Sequence, residues 1–199
     1  MTWRVPLFLL SLAGLPLALA CGDAAAPADV GPASALQPSV QASGRAAFGF
    51  NGTASGFPTG AVRLTGGGSY DPATASNTVP TVTSAVSSGG FDCIEPVSQG
   101  PLTGCLKDEG VRWDTAQLLE STPFKCTADE TPRLAVTGDR KAVLLADFYR
   151  AGNGNDESFT ATIIISDTDL DPDILGDQTL WVQGVGCGTA NQHFNGPAE

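Results

Sequence analysis

From residue 45 onward the chain is cut into short alternating or apolar runs, each ended by Gly, Pro, Asn or Asp. The clearest runs are 45–50, 60–65, 79–87, 133–137, 142–149, 158–166 and 179–185. In 158–166 the alternation puts Phe159, Ala161, Ile163 and Ile165 on one face, with Ser158, Thr160 and Thr162 on the other. In 142–149, Val143 and Leu145 share a face opposite Ala142, Leu144, Ala146 and Phe148. A period of two with β-branched residues marks strands, whereas a helix needs a period of 3.6 over ten residues or more. With 24 Gly and 14 Pro in 199 residues, turns are frequent and long helices are excluded. Seven or more strands in succession predict an all-β domain, an antiparallel sandwich or barrel of about seven to nine strands.

One segment reads two ways. Asp114-Thr-Ala-Gln117 has the spacing of a helix capping box, ahead of Leu118 and Leu119, which predicts one short helix over 114–120. Val111 and Trp113 alternate as in a strand, and Pro123 limits any helix.

Residues 1–20 read as an export signal, with one early positive charge at Arg4 and an uncharged run from Val5 to Ala20. That run is shorter than the roughly 20 residues a spanning helix needs, and Gly14 and Pro16 interrupt it. Ala18-Leu19-Ala20-Cys21 resembles the lipobox of bacterial lipoprotein precursors. The resemblance implies cleavage after Ala20, thioether lipidation of Cys21 and acylation, palmitate for example, of the new amino terminus. Each buried CH₂ of such chains contributes about 0.8 kcal/mol, so two or three hold a protein firmly on a membrane of the cell envelope. Residues 21–44 then form a tether rich in Ala, Pro, Ser and Gly, with a mean reach of about 26 Å. Residues 45–199 form the domain.

Cys93, Cys105, Cys126 and Cys187 are an even set in an exported chain, which points to two disulfides. Four cysteines permit three pairings. Cys93 and Cys105 flank a turn-rich stretch that suits a local bridge, leaving Cys126–Cys187. Zinc is disfavoured by the lack of a C-x-x-C pair and by a single His.

Asp plus Glu number 21 against 10 Lys plus Arg, a net charge of −11, which argues against nucleic acid as a partner. The sharpest acidic constellation is Asp167-Thr-Asp169-Leu-Asp171-Pro-Asp173. Carboxylates at alternate positions are suited to Ca²⁺, and these four are the candidate metal ligands. The spacing departs from an EF-hand loop, with Pro172 where Gly is required and Gln178 where Glu is. With that mismatch, a solvated acidic loop between strands is the favoured reading of the segment. The turn 152–157, rich in Asn, Gly and Asp, reads as a hairpin tip.

Phe48-Gly-Phe50-Asn51, Gly60-Ala-Val-Arg-Leu64, Asp147 with Gly154, Asp156 and Phe159, and Asn191-Gln-His193 resemble the pattern of small β-rich domains of exported bacterial proteins. That resemblance implies a fold and an exported location, and no activity. The sole histidine, His193, has no nucleophile motif beside it. These readings predict a lipoprotein carrying a non-enzymatic binding or structural module, with no catalytic residues, no cofactor and an unknown protein or glycan ligand. Two alternatives are a Ca²⁺-stabilised module using Asp167 to Asp173, and an envelope or carbohydrate hydrolase using carboxylates such as Asp147, Asp156 and Glu157.

Overall fold

A computed structural model describes residues 44–78, 85–149 and 158–196. The readings of the export signal, Cys21, the tether, the 79–84 half of one strand and the 152–157 hairpin tip lie outside them. The described residues form ten strands: β1 (Ala46–Gly56), β2 (Ala61–Tyr70), β3 (Val86–Glu95), β4 (Arg112–Leu118), β5 (Ser121–Phe124), β6 (Arg133–Val136), β7 (Lys141–Tyr149), β8 (Ser158–Ser166), β9 (Leu180–Val182) and β10 (Gly186–Asn195). Eight of them close an antiparallel barrel in the order β1-β10-β9-β8-β7-β4-β3-β2. Sequential strands are neighbours throughout, except that β5 and β6 leave the wall between β4 and β7 as a separate two-stranded hairpin. The all-β expectation is therefore met by a barrel rather than a sandwich.

Closure follows from β1 and β10, which pair from Ala47↔Asn195 to Gly56↔Gly186 and so leave the barrel no open edge. An eight-stranded barrel is just wide enough to be filled by its own side chains. Alternation supplies them: Phe48, Phe50, Leu64, Phe91, Trp113, Leu144, Phe148, Ile163 and Ile165 all point inward and are buried. Exposed Asn51, Thr53, Arg63, Thr160, Asn191 and His193 lie on the strands' other face. This inside-out distribution is the reverse of a membrane-spanning barrel, whose apolar band faces outward. Aromatic rings fill the interior, with Phe148 stacked on Phe159 at 5.7 Å and Phe50 beside Trp113 at 6.0 Å.

Strand β4 replaces the helix expected over 114–120. Its inward residues are Trp113 and Leu118, which a strict period of two would put on opposite faces. An irregularity between Thr115 and Gln117 against β7 resets the register, and that extra residue is what imitated helical spacing. Gln117, read as a helix cap, donates its side-chain N–H to the Ser76 carbonyl at 2.7 Å. Asp114 sits 3.7 Å from Arg112.

Tight coiling explains the glycines of β2 and β3. Gly66, Gly67 and Gly68 face β1 and β3, and a Cβ added at Gly89 would lie 1.7 Å from the Thr65 carbonyl oxygen. Backbone cannot yield as a flexible side chain can. Gly89→Ala is expected to cost about 2–3 kcal/mol, checked by its urea midpoint against wild type.

A second apolar cluster lies outside the barrel wall. Along β7, β8 and β9 the outward Val143, Ile164 and Trp181 are buried because Phe124, Cys126 and Ala135 of the β5–β6 segment cover them, with Leu170 alongside. These strands are apolar on both faces for that reason, which accounts for the unbroken Ile163-Ile164-Ile165 run. The two disulfides are Cys93–Cys105 and Cys126–Cys187. The first closes a loop whose Val97 and Leu102 enter the barrel core; the second pins the hairpin to β10. Two such bonds suit an oxidising, non-cytoplasmic compartment.

Candidate functional site

Where the hairpin leans against the barrel, a cleft of about 330 Å³ opens. Four separate stretches line it. Phe57 and Pro58 come from the turn after β1; Pro123, Phe124 and Lys125 come from the end of β5. Pro132 precedes β6, and Trp181, Gln183 and Gly184 come from β9 and its exit. Six of the nine are aromatic or proline side chains, which lose little conformational freedom when they meet a ligand.

Each wall is held from behind. The Trp181 indole N–H donates to the Lys125 carbonyl at 3.0 Å, so the ring and the strand end move together. Phe124 meets Trp181 edge-on, at 6.1 Å between ring centres. The residue after Lys125 is Cys126, tied to Cys187. Gln183 accepts the Thr162 N–H at 3.0 Å through Oε1. Gly184 (φ +86°) and Gly100 (φ +74°) pack so closely that a Cβ on Gly100 would lie 2.6 Å from the Gly184 Cα. The loop closed by Cys93–Cys105 thereby braces the cleft floor. Lys125 donates through Nζ to the Ala128 carbonyl at 2.6 Å and lies over the Phe57 ring at 5.5 Å from its centre.

Beneath the same hairpin, the acidic segment 167–178 is tied down by side chains rather than gathered around a point. Asp167 pairs with Arg140. Asp169 accepts the backbone N–H of Asp171 at 3.0 Å and of Gln178 at 2.9 Å, folding the loop on itself. Asp171 is fully buried; its Oδ1 accepts from Arg133 at 2.9 Å and from the Asp173 N–H at 3.1 Å. Asp173 also pairs with Arg133. The four candidate Ca²⁺ ligands are thus brought into one loop, and each has a protein partner. The described carboxylates that do converge are Glu130 and Asp171, within 4.8 Å of the Cys126 sulfur. Cys126 is in a disulfide, so it has no thiolate to offer a metal.

Glu130 and Asp171 titrate in opposite directions. Burial pushes Glu130 up, but hydrogen bonds from Arg133, the Cys126 N–H, Asp171 and the Thr127 N–H outweigh it and hold its carboxyl down at about 2. Burial, then the neighbouring Glu130 carboxyl, pushes Asp171 above the usual carboxylate range despite the Asp173 N–H and Arg133. The Asp171 Oδ2 is buried, and no group among the described residues lies in hydrogen-bonding geometry to it.

The signs then follow. Glu130, depressed in the fold, contributes stability above its ordinary range and loses it as pH falls through about 2. Asp171, raised in the fold, contributes stability in acid and loses it as pH rises through its elevated value. Asp171→Asn matches the side chain in size and removes its titration. It is expected to flatten the decline in melting temperature from mildly acidic to neutral pH, checked by melting both proteins across that range.

The remaining sequence candidates are dispersed. His193 is exposed on the outer face of β10, opposite Gly49 of β1, rather than beyond the last strand as expected. Asp147, on the outer face of β7, accepts from the Thr160 hydroxyl at 2.9 Å. Asp156 and Glu157 lie outside the described residues. Trp113 and Tyr70 are core residues, and burial raises the Tyr70 phenol well above its ordinary range, with Asp139 adding to the shift. The cleft itself was missed because its lining is spread from residue 57 to 184 and carries no motif. A scan against protein-family models, a search of curated proteins and a search of solved structures each return no match to this chain.

Proposed function

We propose that this chain is an exported lipoprotein, anchored through Cys21, whose barrel serves as a non-enzymatic binding module with the hairpin cleft as its ligand site. The observation that carries the reading is the cleft: an apolar concavity of about 330 Å³, within the size range of small-molecule sites, with few polar groups and braced walls. The two disulfides and the Cys21 motif favour an exported location, and a tether of two dozen residues suits a domain working off a membrane surface.

Two measurements test the reading. Intact mass of the protein isolated from envelope membranes is expected to show an acylated Cys21 terminus; a chain beginning at Met1 or an unmodified Cys21 contradicts the anchor. A ligand-detected NMR screen of apolar fragments is expected to yield hits that compete with one another. Those hits should weaken at least about fivefold in Phe57→Ala, since one ring is about 1 kcal/mol of contact. Absence of mutually competing hits contradicts the binding site.

A further inference from the structure

We infer that the cleft is selective for small apolar anions, molecules with a flat or ring-bearing body and one carboxylate or comparable acceptor group. This rests on the cleft being a ligand site and adds which ligand class it takes.

The argument is one of donors and acceptors. The lining rings are the half-buried Phe57 and the nearly buried Phe124 and Trp181, with prolines between them, a surface that suits a planar apolar body. The polar side chains in the lining are two, Lys125 and Gln183. Lys125 has three N–H donors and commits one to the Ala128 carbonyl. Gln183 Oε1 already accepts the Thr162 N–H, while no hydrogen bond among the described residues engages its NH₂, which makes the NH₂ the less committed end. Both polar side chains therefore donate.

The charge placement reinforces this. The chain carries 21 acidic against 10 basic residues, yet among the described residues no carboxylate lines the cleft and one ammonium does. The neighbouring acids are engaged elsewhere: Glu130 with Arg133 and two backbone N–H groups, Asp171 and Asp173 with Arg133. A cation or a donor-rich ligand would meet no carboxylate in the lining and would face the Lys125 charge. An apolar anion would bury its body against the rings and accept from both donors. An acidic protein surface would otherwise repel such a ligand.

The probes are 1-naphthaleneacetate and its neutral isostere 1-naphthaleneacetamide, measured by equilibrium dialysis against the full-length oxidised protein in nanodiscs, with empty nanodiscs as blank. The acetate is expected to bind about tenfold tighter than the acetamide, the worth of one charge-assisted hydrogen bond in a partly dry site. Lys125→Met is expected to abolish that preference, bringing the acetate down to the level of the acetamide, and Lys125→Arg to retain most of it. Gln183→Leu should reduce acetate binding a few-fold on its own, which keeps the test open if the lysine variant misfolds. Equal binding of both probes by the wild type, or an acetate preference surviving Lys125→Met, overturns the anion selectivity and leaves the cleft as a neutral apolar site. Binding of neither probe overturns both the selectivity and the binding-site reading.

Discussion

Replacing Cys126 and Cys187 together by alanine is expected to cost about 4 kcal/mol and to remove the cleft while the barrel persists. The bond joins residues 61 apart, and constraining a loop of that length in the unfolded chain is worth about that much. The loss is also local. Strands β5 and β6 have four residues each and pair with one another, outside the barrel sheet. An isolated hairpin of that size is at best marginally stable, so it depends on the second apolar cluster and the disulfide to stay in place. Hydrogen exchange reads the difference: amides of 121–136 should exchange much faster in the double variant, while the long β1–β10 ladder keeps its protection. Uniform loss across both would mean that the hairpin is integral to the barrel.

The second large effect lies inside the barrel. Trp113→Ala is expected to cost about 3–5 kcal/mol, the range for deleting a large ring from a core. Trp113 is completely buried, its ring fills the space left by Gly66, and its indole N–H donates to the Thr65 carbonyl at 3.0 Å. The cavity would be lined by Phe50 and by strand backbone that is already tightly coiled, which limits collapse. Trp113→Phe should fall between, since it keeps most of the ring but leaves the Thr65 carbonyl without that donor. Chemical denaturation at constant slope measures both, and a loss under about 1 kcal/mol for Trp113→Ala would contradict the filled-barrel account.

Much of this architecture is legible in the residues because burial imposes alternation. Strands β7 and β8 were readable nearly to their ends, since Ala142, Leu144, Ala146 and Phe148 face one core and Ile163 and Ile165 join them. The cysteine pairing was legible from the turn residues between Cys93 and Cys105. Other elements hid for identifiable reasons. Strand β10 begins Gly-Cys-Gly and is polar on its outer face, so its ladder with β1 is carried by backbone where no apolar pattern announces it. Strand β5 contains Pro123, tolerable because the hairpin is only two strands wide. In β4 the register irregularity made a strand look helical.

The candidate site was less legible than the fold. The acidic run from Asp167 to Asp173 is the conspicuous feature of the late sequence, yet its partners Arg133 and Arg140 lie 27 to 40 residues earlier and give no local sign of the pairing. In the fold those carboxylates hold the hairpin's underside. Its outer edge, assembled from prolines and aromatics, forms the cleft.

The central claim is that this edge receives the ligand, and the most direct measurement is a ¹H–¹⁵N correlation spectrum followed during titration with 1-naphthaleneacetate. The Trp181 indole N–H, hydrogen-bonded to the Lys125 carbonyl at the cleft wall, is predicted to shift together with the backbone amides of Lys125 and Gly184. The Trp113 indole N–H, sealed in the barrel against Thr65, is predicted to stay still. A saturating probe that leaves the Trp181 signal unmoved, or that moves Trp113 instead, would contradict the account.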